Sequence, residues 1–253
     1  MSIRLALIRR HPVKSVGGEG LERVHLTPAR RLPGDREWAI LTESGERLAL
    51  ASQTEGAPDR WLPKSAFLRG VLSPAVQAVE GGWQDGRLTL RHPSQGSLSI
   101  DPETEGQLLI DWLRPLWPAD AAPPTRLVRG AAIWTDQKWP WISILSLDSL
   151  QDLENRLGRP LGTHRWRANL WIEGASPFAE RDWMGRVIRI GAAELRVTDH
   201  VGRCDATSAD TSTGTRDGDM VADLRRLYGH TQFGIFAEVV TGAEIRIQDE
   251  VLP

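Results

Sequence analysis

The sequence predicts a mainly β protein built from two β-barrel-like domains with a few short helices. Three observations predict this class. Short strand-like segments follow one another with few helices between them, which favours antiparallel sheets curled into barrels over a parallel, doubly wound sheet. Turns rich in glycine and proline separate these segments. At 253 residues, the chain is also long enough for two sizeable cores.

Four strands and one helix are predicted in the first part of the chain. The strands cover residues 3–8, 37–42, 87–92 and 97–101, and the last two alternate between apolar and polar residues. Asp101 and Pro102 predict the N-cap and first residue of a helix that ends before Pro115. The stretch WPADAAPP (117–124) is a linker candidate. We therefore predict a domain at 1–117, a linker at 118–124 and a second domain at 125–253.

The second domain is predicted to contain a further series of strands. A short amphipathic helix over residues 149–157 comes first, with Gly158 as its stop. Strands follow at residues 170–173, 186–190, 194–198, 236–240 and 244–248, and one helix at 220–228 interrupts them. Since no glycine-rich phosphate loop follows any strand, nothing supports a nucleotide cofactor.

Charge and composition describe an ordinary globular protein. The chain carries 31 basic and 33 acidic side chains, a formal net charge of -2, so attraction to nucleic acid or to an anionic membrane is not expected. The apolar run over residues 5–8 is far shorter than the ~20 residues that cross a bilayer, and it lacks a signal-peptide core. We therefore expect a cytoplasmic protein that binds neither nucleic acid nor membrane.

Cys204 is the single cysteine. An intramolecular disulfide, an all-cysteine zinc site and a four-thiolate iron-sulfur cluster within one chain are therefore excluded. The six histidines have no zinc-type spacing and are expected to be structural or exposed. Cys204 lies in the polar segment DHVGRCDATSADTSTGTRD (199–217), predicted as a loop, beside Arg203. It is either a thiolate used as a nucleophile or soft-metal ligand, or a small buried hydrophobe, and its polar neighbours favour the first.

This segment resembles the signature of the MOSC family, the domain related to the C-terminal part of molybdenum cofactor sulfurases. The family pattern, roughly R-C-x-x-T-x-x-D-x-x-T-G-x-x-D, is matched by Arg203, Cys204, Thr207, Asp210, Thr213, Gly214 and Asp217. Two further stretches are similar to family landmarks, RWRANLWIEGASPFAERDW (165–183) and HTQFGIFAEVV (230–240). HPVKSVGGEGL (11–21) and DREWAIL (35–41) resemble the β-barrel domain that precedes MOSC in amidoxime-reducing enzymes.

The resemblance implies a molybdenum-pyranopterin (molybdopterin) cofactor whose metal is bound by the Cys204 thiolate, with Asp210 near the metal as a second catalytic residue. A soft sulfur donor suits this metal, and the cofactor's phosphate needs cationic and hydrogen-bonding partners. The positions that match cofactor contacts are Lys14, Ser15, Arg36, Ser146 in the predicted loop ILSLDSL, Arg167, Asn169 and Arg203.

Other interpretations of these residues stay open. Lys14 and Arg36 are equally consistent with solvated surface charges, and Arg167 with a surface cation over an aromatic face. Asp210 and Asp217 are equally consistent with turn residues that accept backbone hydrogen bonds. The sequence also departs from the family pattern, since it has no second cysteine before Cys204 and has Phe236 where some relatives have tyrosine.

The function implied is a molybdenum oxidoreductase that reduces N-hydroxylated compounds such as hydroxylamines, amidoximes or N-hydroxylated bases. Because the chain ends at Pro253 without a ferredoxin-type domain, an external electron-transfer protein is the expected donor. One alternative is a sulfur carrier that uses a Cys204 persulfide, which is weakened because the chain has no room for a pyridoxal-phosphate domain. Another is a non-enzymatic carrier of the cofactor.

Overall fold

The structure is a computed structural model that describes residues 2–53, 62–130 and 136–253. Within these residues the protein is mainly β, as the sequence predicts. The strands, numbered β1 to β17 in chain order, are Arg4–Arg10, Glu19–Leu21, Arg23–His25, Trp38–Thr42, Glu80–Gln84, Arg87–His92, Gly96–Ile100, Pro124–Arg129, Ile142–Ser146, Leu170–Glu173, Val187–Ile190, Ala193–Gly202, Ala209–Asp210, Thr215–Arg216, Gln232–Thr241, Glu244–Arg246 and Val251–Leu252. The helices, α1 to α4, are Glu43–Gln53, Gly106–Leu113, Leu147–Leu157 and Met220–Tyr228.

An eight-stranded sheet forms the larger core, in the order β17-β11-β12-β15-β9-β10-β1-β2. Its neighbouring strands are antiparallel except β9 and β10, which are parallel. One bridge between Arg4 and Glu250, and a backbone hydrogen bond from Leu5 to Asp249 of 2.9 Å, bring the β17 edge back toward β1. The sheet therefore curls like a barrel, but its strand ladder stays open.

The alternation of β12 shows why this sheet has one apolar face. Leu195 and Val197 are buried while Arg196 between them is exposed, as expected for a strand with one face on a core. Ile188 of β11 and Ile235 of β15 pack in the same cluster and have no exposed surface. Burying each such side chain contributes roughly 1.5–3 kcal/mol, so this cluster is a main source of stability.

Smaller sheets and α2 form a second core from the N-terminal part. Strands β5, β6 and β7 make an antiparallel meander, and Leu88, Leu90 and Ile100 point from it into a cluster that includes Leu109 and Ile110 of α2. The apolar alternation predicted for β6 and β7 is thus confirmed. Strand β6 and helix α4 also begin and end at the predicted residues.

Strand pairing joins the two parts of the chain in at least three places within the described residues. β1 and β3, from the N-terminal part, pair with β10 and β16, and β8, which begins at Pro124 at the end of the predicted linker, pairs with β4. The boundary at 118–124 stays a prediction. The pairing of β1 with β10 has a local consequence, since it places the loop after β1 beside the residues that precede β10.

Helix α3 begins at Leu147, two residues before its predicted start, and two larger differences concern α2 and α1. The helix predicted from Asp101 begins at Gly106 instead, because Asp101 accepts a hydrogen bond from the Glu103 N–H at 3.0 Å and forms a turn. Helix α1 was not predicted, and its exposed Leu48 and Leu50 explain why no clean apolar stripe marks it in the sequence. The longest helices that the structure describes have 11 residues, too few to cross a membrane.

A buried carboxyl group, Glu180, lies beneath the start of α3. Its side chain has no exposed surface, and both carboxyl oxygens accept from the Ser149 hydroxyl at 3.1 Å. Burial raises the pKa of Glu180 from 4.5 to about 7. Between these two values the folded protein holds a proton that the unfolded chain has lost. The contribution of Glu180 to the free energy of unfolding is therefore fully present below the pKa of the unfolded chain. It is lost as the pH rises through the folded-state pKa of about 7.

Glu180→Gln should therefore stabilise the protein at pH 8 and change little at pH 5. Glutamine keeps the size and mimics the neutral acid, so the gain at pH 8 should be about 3 kcal/mol, the free-energy equivalent of the pKa difference. Urea unfolding of both proteins at the two pH values measures this. The exposed Glu22→Gln variant is the control, and an equal effect of Glu180→Gln at both pH values would contradict the prediction.

Candidate functional site

A cavity of about 350 Å³ lies where the N-terminal loops meet the ends of β12 and β15, a volume within the ~300–1,000 Å³ of small-molecule sites. Among the described residues, eight basic side chains line it, against two acidic ones. The basic residues are Lys14, Arg31, Arg36, Lys64, Arg69, Arg165, Arg167 and Arg203, and the acidic ones are Asp35 and Asp136. A chain with a net charge of -2 therefore concentrates positive charge at this cavity, which favours an anionic ligand.

Most of the predicted site residues meet at this cavity although they are far apart in sequence. Those that line it are Lys14, Ser15, Arg36, Arg167, Asn169, Arg203 and Cys204. Ser146 and Asp210 are not among the lining residues.

Ser146 lies at the end of a strand and not in a loop, which corrects the prediction. It is the last residue of β9 and the N-cap of α3, where its hydroxyl oxygen accepts from the backbone N–H groups of Asp148 at 3.2 Å and Ser149 at 3.3 Å. Ser146 has no exposed surface. Its contacts are those of a helix cap, so the structure gives it no contact with the cavity.

Asp210 is the last residue of β13, pairs with Thr215 of β14, and is not among the residues that line the cavity. Its carboxylate accepts from the Ser212 N–H at 2.8 Å and the Ser212 hydroxyl at 2.7 Å, and these bonds lower its pKa. These contacts match the interpretation of Asp210 as a turn residue, and its place near a metal at Cys204 stays a prediction. Asp217 forms a 2.8 Å ion pair with Arg165, which is itself buried.

Cys204 is exposed and lines the cavity, so it is not a small buried hydrophobe. Its main chain is fixed on both sides. The Arg203 N–H donates to the Thr231 carbonyl at 2.9 Å, and the Cys204 carbonyl accepts from the Thr207 N–H at 3.0 Å and hydroxyl at 2.9 Å. A rigid backbone thus presents an accessible thiol to the cavity.

Arg203 anchors the segment before this thiol. Its Nε donates to the Phe233 carbonyl at 3.0 Å and its Nη1 to the Trp166 carbonyl at 3.0 Å, while the guanidinium lies 5.3 Å from the Trp166 ring centroid. Burial lowers the pKa of Arg203 to about 9. The contact between a cation and an aromatic face that the sequence suggested for Arg167 is therefore made by Arg203.

Three cavity residues hold a backbone conformation that non-glycine residues rarely adopt. Ser15, Arg36 and Arg167 have φ values of 65°, 52° and 49°. A left-handed conformation costs roughly 1–2 kcal/mol per residue and persists only where the surroundings impose it. Here the Arg167 guanidinium donates to the carbonyls of Gly17 at 2.6 Å and Val13 at 3.1 Å.

The same network links the two parts of the chain. Arg36 donates to the Arg167 carbonyl at 2.7 Å and pairs with Asp35. Asn169 accepts from the Ser143 hydroxyl at 3.0 Å. Burial lowers the pKa of Arg167 to about 9, and neighbouring Arg36 acts in the same direction. Arg167 and Asn169 therefore hold the cavity wall in place.

Lys14 is buried, with 5% of its surface exposed, so it is not a solvated surface charge. Its ammonium group donates to Asp136 at 2.5 Å, and the Asp136 side chain is 58% exposed. Burial lowers the pKa of Lys14 although Asp136 opposes the shift. A second anion at this cavity would stabilise the Lys14 charge in the same way as Asp136 does.

Sequence reasoning missed several residues of the site. Arg31 donates to the Gln137 carbonyl, and Arg69 lines the cavity with a buried Nε that has no hydrogen-bond partner in the described part of the chain. Neither residue belongs to a recognisable sequence motif, and the one local feature is the glycine that follows Arg69. An unpartnered guanidinium nitrogen is a donor available to a ligand.

The donor set fits a ligand that carries both a phosphate and a soft metal. Buried lysine and arginine side chains supply charge-assisted donors for a phosphate, and the exposed thiol supplies a soft ligand. The described residues contain no group of three or more His, Cys, Asp or Glu placed to hold a metal. A metal at Cys204 would thus take its other ligands from the bound group.

Comparison with known proteins identifies two domains. Residues 2–109 match the family model of the MOSC N-terminal beta barrel domain, and residues 140–252 match that of the MOSC domain. Mitochondrial amidoxime-reducing component 1 of Xenopus laevis is 23% identical over 235 residues, which cover 81% of this chain and 65% of the relative. Molybdenum cofactor sulfurase 2 of Culex quinquefasciatus is 33% identical over 81 residues, 32% of this chain and 10% of that protein.

The chain thus spans less than two thirds of the length of these curated relatives. Among solved structures, the YUAD protein of Bacillus subtilis aligns with a TM-score of 0.43 at 12% identity, covering 99% of this chain and 94% of that one. The two family matches together cover most of the chain, on either side of residues 110–139. The chain belongs to the MOSC-domain proteins, with a MOSC N-terminal beta barrel domain followed by a MOSC domain.

Proposed function

We propose that this protein binds a molybdenum-pyranopterin cofactor and reduces N-hydroxylated compounds with electrons from an external electron-transfer protein. The observation that carries the proposal is one cavity that joins an exposed cysteine thiol to eight basic side chains. The names of the relatives support both parts of the proposal, the reduction and the cofactor, since one relative is an amidoxime-reducing component and another a molybdenum cofactor sulfurase.

Separate residues of the cavity would hold the two ends of this cofactor. The Cys204 thiolate would bind the metal, and Lys14 and Arg69 would donate to the phosphate. Lys14 is buried, and the Arg69 Nε has no partner among the residues that the structure describes, so both gain more from an anion than an exposed cation would. Arg167 and Arg203, already bonded to backbone carbonyls, would keep the walls fixed.

The bound cofactor would supply two-electron redox chemistry at its metal. The overall reaction consumes two electrons and two protons, breaks the N–O bond, and releases the amine, amidine or base together with water. The chain's part is to orient the substrate beside Cys204 and to restrict water within the cavity. An external protein supplies the electrons.

The test begins with protein purified from a host that makes the cofactor. Elemental analysis for molybdenum is followed by an assay of amidoxime or hydroxylamine reduction with a chemical reductant. Bound molybdenum with turnover supports the proposal. Bound molybdenum without turnover would instead indicate a cofactor carrier, and sulfane sulfur on Cys204 without molybdenum a sulfur carrier.

Asp136→Asn should strengthen the binding of inorganic phosphate to the cofactor-free protein. Asp136 already neutralises Lys14, so a bound anion must compete with it. Removing a half-exposed ion pair worth up to ~1 kcal/mol should tighten binding about fivefold. Isothermal titration calorimetry measures the affinity, with the exposed Asp111→Asn variant as the control. Equal affinity of the wild-type and Asp136→Asn proteins would contradict the competition.

A further inference from the structure

Three aromatic rings in contact with one another, one pair stacked and one tilted, lead from solvent to the cavity. Trp139 and Trp141 stack with their centroids 6.2 Å apart and an angle of 25° between their planes, and Trp141 lies 5.7 Å from Phe236 at 36°. Trp141 and Phe236 line the cavity that holds Cys204, whereas Trp139 is 50% exposed. We call these three residues the aromatic stack.

The residues around the stack hold it in place. Just before Trp139, the Asp136 carboxylate pairs with Lys14, and the Gln137 carbonyl accepts from Arg31. The Trp141 N–H donates to the Trp139 carbonyl at 2.9 Å. These bonds fix the segment against buried cations of the N-terminal part.

The inner end of the stack is fixed by the large sheet. Phe236 belongs to β15, where it pairs in register with Ser143 of β9, two residues after Trp141. Both strands lie in the interior of the eight-stranded sheet. The rings therefore present a pre-arranged surface, and a ligand that lies on it loses little free energy to ordering the protein.

An aromatic surface of this kind distinguishes ligands by shape. A flat ring can lie on it with offset stacking, which contributes ~0.5–1.5 kcal/mol beyond the area buried, and an aliphatic group cannot. The other walls of the cavity are basic, and cations also attract aromatic faces. The aromatic surface therefore favours a ligand with a planar aromatic body.

We propose that the aromatic stack binds the flat ring of the substrate and makes the protein select N-hydroxylated compounds carried on aromatic rings over aliphatic ones. Trp141 is the main contact, and Trp139 supports its orientation from the solvent side. This inference rests on the proposed function for the identity of the polar head. The preference for a flat ring rests on the stack itself.

The test compares benzamidoxime with acetamidoxime, which share the same neutral head group and differ in a phenyl or a methyl substituent. Binding to the oxidised, cofactor-loaded protein is measured by calorimetry without a reductant, so that no turnover occurs. Trp141→Leu keeps an apolar side chain but removes the ring, and it should weaken benzamidoxime binding about tenfold, the equivalent of one aromatic pair. Acetamidoxime binding should change less than twofold.

Further variants separate stacking from a loss of folding or of apolar surface. Trp141→Phe keeps a ring and should retain most of the affinity for benzamidoxime. Trp139→Leu, at an exposed position, should weaken benzamidoxime binding by a smaller factor of about three, within the lower range for an aromatic pair. Leu108→Ala, at the exposed Leu108 of α2, is the control and should change neither affinity.

Two results would overturn the inference: equal affinity of the wild-type protein for both compounds, or an equal loss of both in Trp141→Leu. Either one is distinct from failure of the proposed function. If reduced, loaded protein turned over neither compound, the reductase assignment would fail. The binding preference and its dependence on Trp141 would still be measured.

Discussion

Cys204→Ser should abolish the reduction of N-hydroxylated compounds while the protein stays folded. Serine is nearly the same size, and the cysteine side chain is exposed, so no core packing is lost. A serine hydroxyl is far less acidic than a thiol and is a harder donor, so it is a poor substitute for a thiolate on a soft metal. Removal of the metal ligand itself should lower the activity by more than the ~10–100-fold expected when a residue that only supports a ligand is removed.

The assay compares wild-type and variant proteins at matched molybdenum content, with a chemical reductant and a hydroxylamine substrate. Matching is necessary because the basic residues should still retain part of the cofactor in the variant. Ser97→Ala, at an exposed position of β7, is the control and should keep full activity. Equal rates for wild type and Cys204→Ser would remove Cys204 as the metal ligand.

Lys14→Met should strongly reduce retention of the cofactor. Lys14 is buried at the cavity, and a charge-assisted hydrogen bond in such a place contributes roughly 1.5–3 kcal/mol. Its loss should therefore weaken cofactor binding by about 10- to 100-fold. The fold should survive, because methionine fills a similar volume and replaces a cation whose charged form is disfavoured by burial. The Asp136 carboxylate loses its ion-pair partner in this variant, but its side chain is more than half exposed and therefore stays solvated.

Molybdenum and phosphorus content after dialysis measures this retention. Arg114→Met removes an exposed cation from a surface ion pair with Asp111 and serves as the control. Full occupancy of Lys14→Met after dialysis would show that Lys14 does not anchor the cofactor. If Lys14→Met also lost the native circular dichroism spectrum, the loss of cofactor would be due to unfolding. The spectrum is therefore recorded for each variant.

Much of the fold could be predicted from the sequence because its signals are local. Alternation of apolar residues locates β6, and a run of periodic leucines followed by glycine locates α3. These patterns depend on contacts between residues a few positions apart. Helix α1 escaped prediction because its leucines do not form one stripe, and the start of α2 was misplaced because Asp101 closes a turn instead of capping a helix.

Part of the candidate site could also be predicted from the sequence, but from short motifs and not from periodicity. The motif around Cys204 and the short segments that contain Lys14, Arg36 and Arg167 marked residues that the structure brings to one cavity. The same reasoning included Ser146, since a residue type in a matched segment does not reveal which way its side chain points. In the fold that side chain caps α3 and is not among the residues that line the cavity.

The sequence by itself determined that this protein is mainly β, that it has a single thiol, and that this thiol lies in a polar MOSC-type segment. Only the tertiary structure decided that the basic residues form one positive cavity, because β1 pairs with β10 and Arg36 bonds to Arg167, which lies 131 residues further along the chain. It also decided that the Arg69 Nε has no partner among the described residues and that the Trp141 ring contacts the Phe236 ring. Such contacts arise from long-range strand pairing and burial, which no local pattern of residues encodes.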